Sequence, residues 1–485
     1  MNDLLRITPR DNVAVALRAL AAGETVAVDG LTLTLKTDVP AGHKVALTDL
    51  AEGASVVKYG FPIGYTKEAI PAGSHVHVHN LRTGLSGELS YAYQPTHPAL
   101  APLPVREFMG YPRFDGRVGI RNDLVILPTV GCVNDVARAL ERDAQSLVGG
   151  GVEKVYAFAH PYGCSQMGED QDRTRQVLAN LATHPNMGGV LVLGLGCENN
   201  RIAEFRKILG DVDETRVRFL NCQDCVDELG EAVRIIKELQ AIAAGDTRRR
   251  SPVSKLVIGL KCGGSDGLSG VTANPKVGLV TDRLTAMGGT AVLTEIPEAF
   301  GAEAALLNRA VSVDVFNGAL KLINDYKAYF IAHGQPVSEN PSPGNKDGGI
   351  TTLEEKSLGC ILKGGRAPLT AVLGYGDFAA GGGLQLLDGP GNDIAAVTNL
   401  TAAGCHLILF TTGRGTPLGA PVPTIKIASN TALATRKPHW IDFNAQTGDA
   451  DGLFELLLAT ANGQPTKNEI NGCREIAIFK DGVTL

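Results

Sequence analysis

Apolar positions in this chain fall into short runs, and their spacing changes twice along its length. Over the first ninety residues the runs at 25–28, 32–35, 44–46, 55–59 and 75–79 are separated by Gly, Pro and Asp. That pattern predicts short strands joined by turns. A denser apolar stretch at 12–22 predicts a helix at the edge of this small, mostly β module, 1–93. Residues 94–104 read QPTHPALAPLP, with four prolines, and so many missing N–H donors predict a linker, 94–107.

Beyond the linker the rhythm becomes that of α/β structure. Runs at 124–128, 155–159, 190–195 and 217–220 each precede a helical stretch, at 134–149, 170–182, 199–209 and 224–244. Strand and helix in alternation predict βαβ units on a parallel sheet, here a middle domain, 108–245. A second linker is expected at 245–254, after which runs at 256–260, 291–295, 370–373, 407–410 and 424–427 resume the alternation in a last domain, 246–485. The polar segment 335–349, with three prolines, is a loop long enough to be mobile or functional.

Composition narrows the function. A net charge of −6, with the one basic run at 248–250 set among linker residues, gives no general attraction to nucleic acid. No basic leader with an apolar core and no long apolar segment is visible, so a soluble cytoplasmic protein with no membrane partner is expected. Nine scattered cysteines do not form a secreted disulfide framework, and reduced thiols are expected.

Five of those cysteines end apolar runs: ILPTVGC at Cys132, AFAHPYGC at Cys164, LVLGLGC at Cys197, FLNC at Cys222 and IGLKC at Cys262. A parallel sheet gathers ligands beyond the carboxyl ends of its strands. Cys132, Cys164 and Cys197 share the Gly-Cys form and are the metal candidates, since three thiolates hold iron or an iron–sulfur cluster with one position open. The plain alternative is a set of small buried packing residues. Cys222 and Cys225 form a CxxC without the second pair that zinc needs, leaving a redox pair. An ion site around Cys262, Asp266 and Asp442 is a further alternative.

GSHVHVHN sets His75, His77 and His79 at alternate positions, about 6.6 Å per step on one strand face. They read either as a solvent-facing stripe or as groups for an ion or a proton. Gly-rich stretches at 261–275 and 411–423, and HWIDFNAQTGD at 439–449, offer Ser265, Asp266, Thr272, Asn274, Arg414, Asp442 and Asn444 for hydroxyls, a carboxylate or a cation. No dinucleotide fingerprint is present, which makes a nicotinamide dehydrogenase a weak alternative.

AGSHVHVHN, DGRVGIRN, HPYGCSQ, LGLGCENN, KCGGSDGLSGVTANPKVG, TEIPEAFGAE and GTPLGAPVPTIKIASN together resemble the altronate and galactarate dehydratase family over the whole chain. The resemblance implies a β-clip N-terminal domain, a middle domain that can serve in dimerisation, and a Rossmann-like last domain, with iron needed for activity. It implies that the chain, as a homodimer, dehydrates a sugar acid, with altronate favoured over galactarate. The product would be 2-keto-3-deoxygluconate, made by removal of the C2 proton and loss of the C3 hydroxyl. In that reading His75 or His77 takes the proton, Arg121 grips the carboxylate, and Glu198 joins the catalytic set. His79, Asn80, Asn122, His160, Asn199, Ser265, Asp266, Asn274 and Arg414 bind the substrate. The rivals are a lyase that expels sulfite from sulfolactate and a non-enzymatic sugar-acid-binding or thiol redox-sensing protein.

Overall fold

The computed structural model describes residues 3–482 apart from 86, 88, 89 and 97–99, so the middle of the Pro-rich linker lies outside the described residues. The N-terminal module is built of antiparallel strands. Leu4–Leu5, Val13–Ala16, Lys44–Ala46 and His75–Val76 form one sheet, Ser55–Lys58, Phe61–Thr66 and Leu81–Arg82 a second, and Thr25–Val28 pairs with Leu31–Thr34.

The helix expected at 12–22 is not formed; Val13–Ala16 is a strand buried at every position. Val13 packs into the large core with Ala46, while Ala14 and Ala16 pack into a separate cluster with Leu4 and Val45. A strand covered on both faces loses its polar alternation, and its apolar run then reads like that of a helix.

The middle domain is a four-stranded parallel sheet in the spatial order Val155–Ala157, Asp123–Pro128, Met187–Gly194, Val217–Asn221. The last domain is a seven-stranded parallel sheet, in the order Leu369–Leu373, Gly383–Leu387, Thr290–Leu293, Val257–Cys262, Leu407–Thr412, Thr424–Ala428, Phe443–Asn444. In both sheets the first strand is central and later strands are added on either side. Each therefore has a topological switch point, at the ends of Asp123–Pro128 and Met187–Gly194, and of Val257–Cys262 and Leu407–Thr412.

Residues 245–254 are not a plain linker. Arg249–Pro252 is a strand that pairs antiparallel with Glu107–Pro112, Gly110 lying opposite Arg249. No helix among the described residues is long and apolar enough to cross a membrane.

The N-terminal module is fastened to the last domain by buried charges. Glu355 accepts from Lys44 Nζ at 2.8 Å and from Lys58 Nζ at 2.7 Å, and all three side chains are at most 2% exposed. Glycine makes this junction possible. A Cβ on Gly267 would lie 1.9 Å from the Gly42 carbonyl oxygen, so the two backbones approach as only glycine allows.

Candidate functional site

The pairing of Lys44–Ala46 with His75–Val76, Val45 opposite His75, brings His43 beside the histidine stretch. His43 Nδ1 and His75 Nε2 are 3.0 Å apart. The His77 ring stacks on His75 at 5.5 Å between centroids and meets His43 at 4.8 Å, and exposed His79 stands 5.3 Å from His75. Asn80 sets this turn, accepting from the His77 N–H and donating to the His75 carbonyl, both at 2.9 Å. The last domain supplies Thr351 Oγ1, 2.9 Å from His77 Nδ1, and the Asp347 carbonyl, 3.3 Å from His43 Nε2.

Ligand atoms of His43, His75 and His77 all lie within 4.8 Å of one another. Burial lowers the His43 pKa, and burial together with neighbouring histidines takes His75 to about 3. Burial and the Lys44 charge take His77 to about 4. Three converging, neutral imidazoles fit a divalent transition ion such as iron. The same shifts make His75 and His77 weak proton acceptors near neutral pH.

Within the 335–349 segment, Ser342 and Asn345 form a reciprocal capping box and Pro343 opens the short helix Pro343–Asp347. Asn345 Nδ2 ties that helix to the Ser265 carbonyl at 2.8 Å. A Cβ on Gly344 would touch Arg414 Nε at 3.5 Å. Thus one end of the helix meets Arg414 and the other meets His43, about 4.5 Å apart along the axis. Arg414 is exposed, and no hydrogen bond or ion pair engages its guanidinium among the described residues.

The segment also walls a cleft of about 640 Å³ at the switch point of the last sheet, lined by Cys262, Gly264, Glu298, Asn345, Lys346, Lys356 and Asp393 among others. Below it Lys261 is bonded to Glu295 and, at 2.7 Å, to Asp393, and Lys356 to Glu298 at 2.7 Å. Cys262 Sγ lies 3.4 Å from Cys360 Sγ, 3.2 Å from Glu298 Oε2 and 2.9 Å from Lys363 Nζ. Glu295 holds a left-handed backbone at φ 66°, strain of the kind that collects at functional sites. Cys262, Glu298 and Cys360 form the second set whose ligand atoms converge within 4.8 Å.

Cys132, Cys164 and Cys197 stand on three adjacent loops of the middle sheet, laced together by Gly131 N–H to Tyr162 O at 2.9 Å, Asn200 N–H to Gly163 O at 3.0 Å and Ser165 N–H to Asn199 Oδ1 at 2.8 Å. All three thiols are exposed, which sets aside the reading as buried packing residues. Among the described residues they are not one of the sets whose ligand atoms converge within 4.8 Å, as a single ion would need.

Three family models match the chain in succession. They are the altronate/galactarate dehydratase SAF domain over 2–84, the second domain of D-galactarate dehydratase/altronate hydrolase over 110–244, and the C-terminal domain of D-galactarate/altronate dehydratase over 253–484. The chain belongs to the altronate/galactarate dehydratase family. It is therefore an enzyme, a hydro-lyase of the sugar-acid dehydratase type, and the SAF domain is the strand-rich N-terminal module described above. It is 51% identical to altronate dehydratase of Escherichia coli over 99% of both chains, and 49% identical to altronate dehydratase of Bacillus subtilis over the whole of both. Galactarate dehydratase (L-threo-forming) of Escherichia coli is 35% identical over 95% of this chain and 93% of its own.

Several residues that the sequence offered to substrate are engaged elsewhere in this dehydratase. Arg121 is 2% exposed; its Nε and Nη2 bind Glu469 at 2.7 and 3.0 Å, and its remaining donors meet the carbonyls of Ile120, Thr460 and Gln464. It joins the middle domain to the last and has no donor left for a carboxylate. Asn122 is likewise filled by Arg113, Gly151 and Ala243. Glu198 accepts from Thr129, Leu195 and Gly196 to shape its loop, and His160 bonds the Pro128 carbonyl and the Tyr162 N–H.

In the last domain, Asp266 is taken by Ser269, Ser429 and Asn430, and Asn274 by Gly359 and Thr411. Asp442 accepts from the Lys426 and Lys467 backbone N–H groups, and among the described residues Cys262, Asp266 and Asp442 are not a set whose ligand atoms converge. Ser265 is buried with its hydroxyl unpaired among the described residues, beside a cavity of about 10 Å³. Of the residues the sequence did not flag, His43, Thr351, Cys360 and Lys363 lie in no quoted motif, whereas Glu298 lies within TEIPEAFGAE without having been singled out.

Proposed function

We propose that this chain dehydrates D-altronate to 2-keto-3-deoxygluconate, with ferrous iron held by His43, His75 and His77. The substrate choice rests on the two altronate dehydratases at about half identity over full length, against 35% for the galactarate enzyme. The site rests on one observation: the short helix Pro343–Asp347 meets His43 through the Asp347 carbonyl and passes beside the unengaged Arg414 at Gly344.

In this reading the Arg414 fork binds the substrate carboxylate, with Lys346 on the same helix adding charge. Sugar C2 and C3 then face the imidazoles, and exposed His79, beside His75, takes the C2 proton as general base. Iron held by these imidazoles would supply Lewis-acid stabilisation of developing negative charge. Thr351 orients the His77 ring through its Nδ1, and Asn80 fixes the backbone turn that carries His75 and His77.

A second placement of iron, as a cluster on Cys132, Cys164 and Cys197, is favoured by their exposure on three interlaced loops at the switch point of the middle sheet. Acid-labile sulfide separates the two: none is expected, and the His43→Ala chain should lose its iron while Cys197→Ser keeps it. Homodimer formation and a cytoplasmic setting belong to the same reading, and light scattering on the intact chain measures the first.

The decisive assay incubates anaerobic, iron-supplied protein with altronate, galactarate and sulfolactate, and measures 2-keto acid and sulfite. Keto acid from altronate at the highest kcat/KM is expected, with Arg414→Ala raising KM about 10- to 100-fold, the loss of one charge-assisted pair. Absence of keto acid, or faster sulfite release, overturns the proposal.

A further inference from the structure

The buried cluster beneath the cleft has no part in the mechanism above, and its composition argues against a resident cation. Lys363 touches Cys262 at 2.9 Å and Lys356 touches Glu298 at 2.7 Å. A metal on Cys262, Glu298 and Cys360 would press a second positive charge against two ammonium groups. The same lysines are suited to holding a thiolate.

We propose that Cys262 and Cys360 are a peroxide-sensitive thiol pair that closes into a disulfide. Their sulfurs stand 3.4 Å apart in one buried site, so the bond, about 2.05 Å long, forms after a small approach. Both thiols are buried, and they border different spaces. Cys262, at the end of the central strand, lines the open cleft, whereas Cys360 borders only the small cavity of about 10 Å³ behind it. Cys360, on the helix Leu353–Ile361, lies behind it, positioned as the resolving partner.

The electrostatics agree with this division of labour. The Cys360 S–H bond, together with Lys363 and Lys261, outweighs burial and lowers the Cys262 thiol to about 6. The same bond and burial push Cys360 well up. Low pKa and access to solutes are what select a thiol for oxidation. By contrast Cys222 and Cys225 in the partly buried CxxC are both shifted up, Cys222 by burial to about 11.

The chemistry balances with hydrogen peroxide as oxidant. The Cys262 thiolate attacks one peroxide oxygen, the O–O bond breaks, and a sulfenic acid and hydroxide result. Cys360 sulfur then attacks the sulfenic sulfur, the S–O bond breaks, and the Cys360 proton leaves with the second hydroxide as water. Two thiols lose two electrons and two protons, and the peroxide becomes two waters. A dithiol reductant reverses the bond by exchange.

Closure also bears on the active protein. The helix Leu353–Ile361 that carries Cys360 carries Glu355, the anchor of the SAF domain, and follows Thr351, the partner of His77. Drawing Cys360 toward Cys262 pulls on the segment that positions the imidazoles. This second step rests on the function proposed above; the disulfide does not.

The test treats the intact chain, freed of metal by a chelator, with stoichiometric hydrogen peroxide, then alkylates, digests and maps it by mass. A Cys262–Cys360 peptide pair lighter by two hydrogens, removed by dithiothreitol, is expected. In Cys360→Ser, dimedone should label Cys262 and no linked peptide should form. Full alkylation of both thiols after peroxide, linkage of another pair, or dimedone on a different cysteine overturns the pair. After reloading with iron, oxidised wild type should turn over altronate at least 5-fold more slowly until reduced, and peroxide-treated Cys360→Ser, which cannot close the bond, should not show that loss. A disulfide with unchanged turnover overturns the regulatory step alone.

Discussion

Replacing Glu355 with Gln tests how the SAF domain is held. The carboxylate accepts from Lys44, Lys58 and, at 2.8 Å, the Thr351 N–H, with every partner buried. Removing its charge leaves two buried ammonium groups facing each other, which costs about 3–5 kcal/mol. An independent route gives the same size. Burial alone would raise the Glu355 pKa, but Lys44 and Lys58 hold it at about 2 against an ordinary 4.5. That difference amounts to about 3 kcal/mol.

The sign follows from the depressed pKa. The contribution is complete above the ordinary carboxyl pKa and is lost as pH falls from about 4.5 toward 2. Hydrogen exchange of peptides from residues 40–80, followed in urea at neutral pH and again across this acid window, measures local opening. Glu355→Gln should open more easily by about 3–5 kcal/mol and lack the acid slope. A triple Lys44→Met, Lys58→Met, Glu355→Leu chain should recover most of the protection, because apolar groups replace the whole ion cluster. An opening free energy within about 1 kcal/mol of wild type, or an unchanged acid slope, refutes the reasoning.

Arg121→Ala should destabilise the junction of the middle and last domains by about 3–5 kcal/mol, leaving KM for the sugar acid unchanged in protein that remains folded; steady-state kinetics beside urea unfolding checks both. Gly267→Ala drives a Cβ to 1.9 Å from the Gly42 carbonyl, so it should shift the SAF domain, lower iron content and lower activity together, measured by metal analysis on purified chain. His43→Ala should reduce bound iron at least 10-fold at a fixed low iron concentration without lowering the unfolding free energy by more than about 1 kcal/mol.

What could be read from the sequence was whatever repeats locally. The two parallel sheets announce themselves because the strands behind runs such as 190–195 and 407–410 are buried on both faces. The same signal misleads at Val13–Ala16, where a strand covered on both faces imitates a helix. The histidine stretch was visible, but His43 was not, since its place beside His75 depends on a strand pairing across thirty residues. Arg121 sits in a motif that looks made for a carboxylate; the carboxylate it binds is Glu469, 348 positions away. Cys360 and Lys363 meet Cys262 only through the tertiary packing of the helix after Thr352.

The ribbon formed by Glu107–Pro112 and Arg249–Pro252 has an evolutionary reading. The chain leaves for the middle domain and returns from it on neighbouring strands, Gly110 facing Arg249. Everything between is thus a cassette whose two ends are already joined. Exchanging such a segment leaves the SAF module and the seven-stranded sheet with their connectivity. The architecture is a two-part enzyme with a third part threaded in through a ribbon of four residue pairs and clamped to the last domain by Arg121 with Glu469 and by a core shared with Ala402 and Ile478.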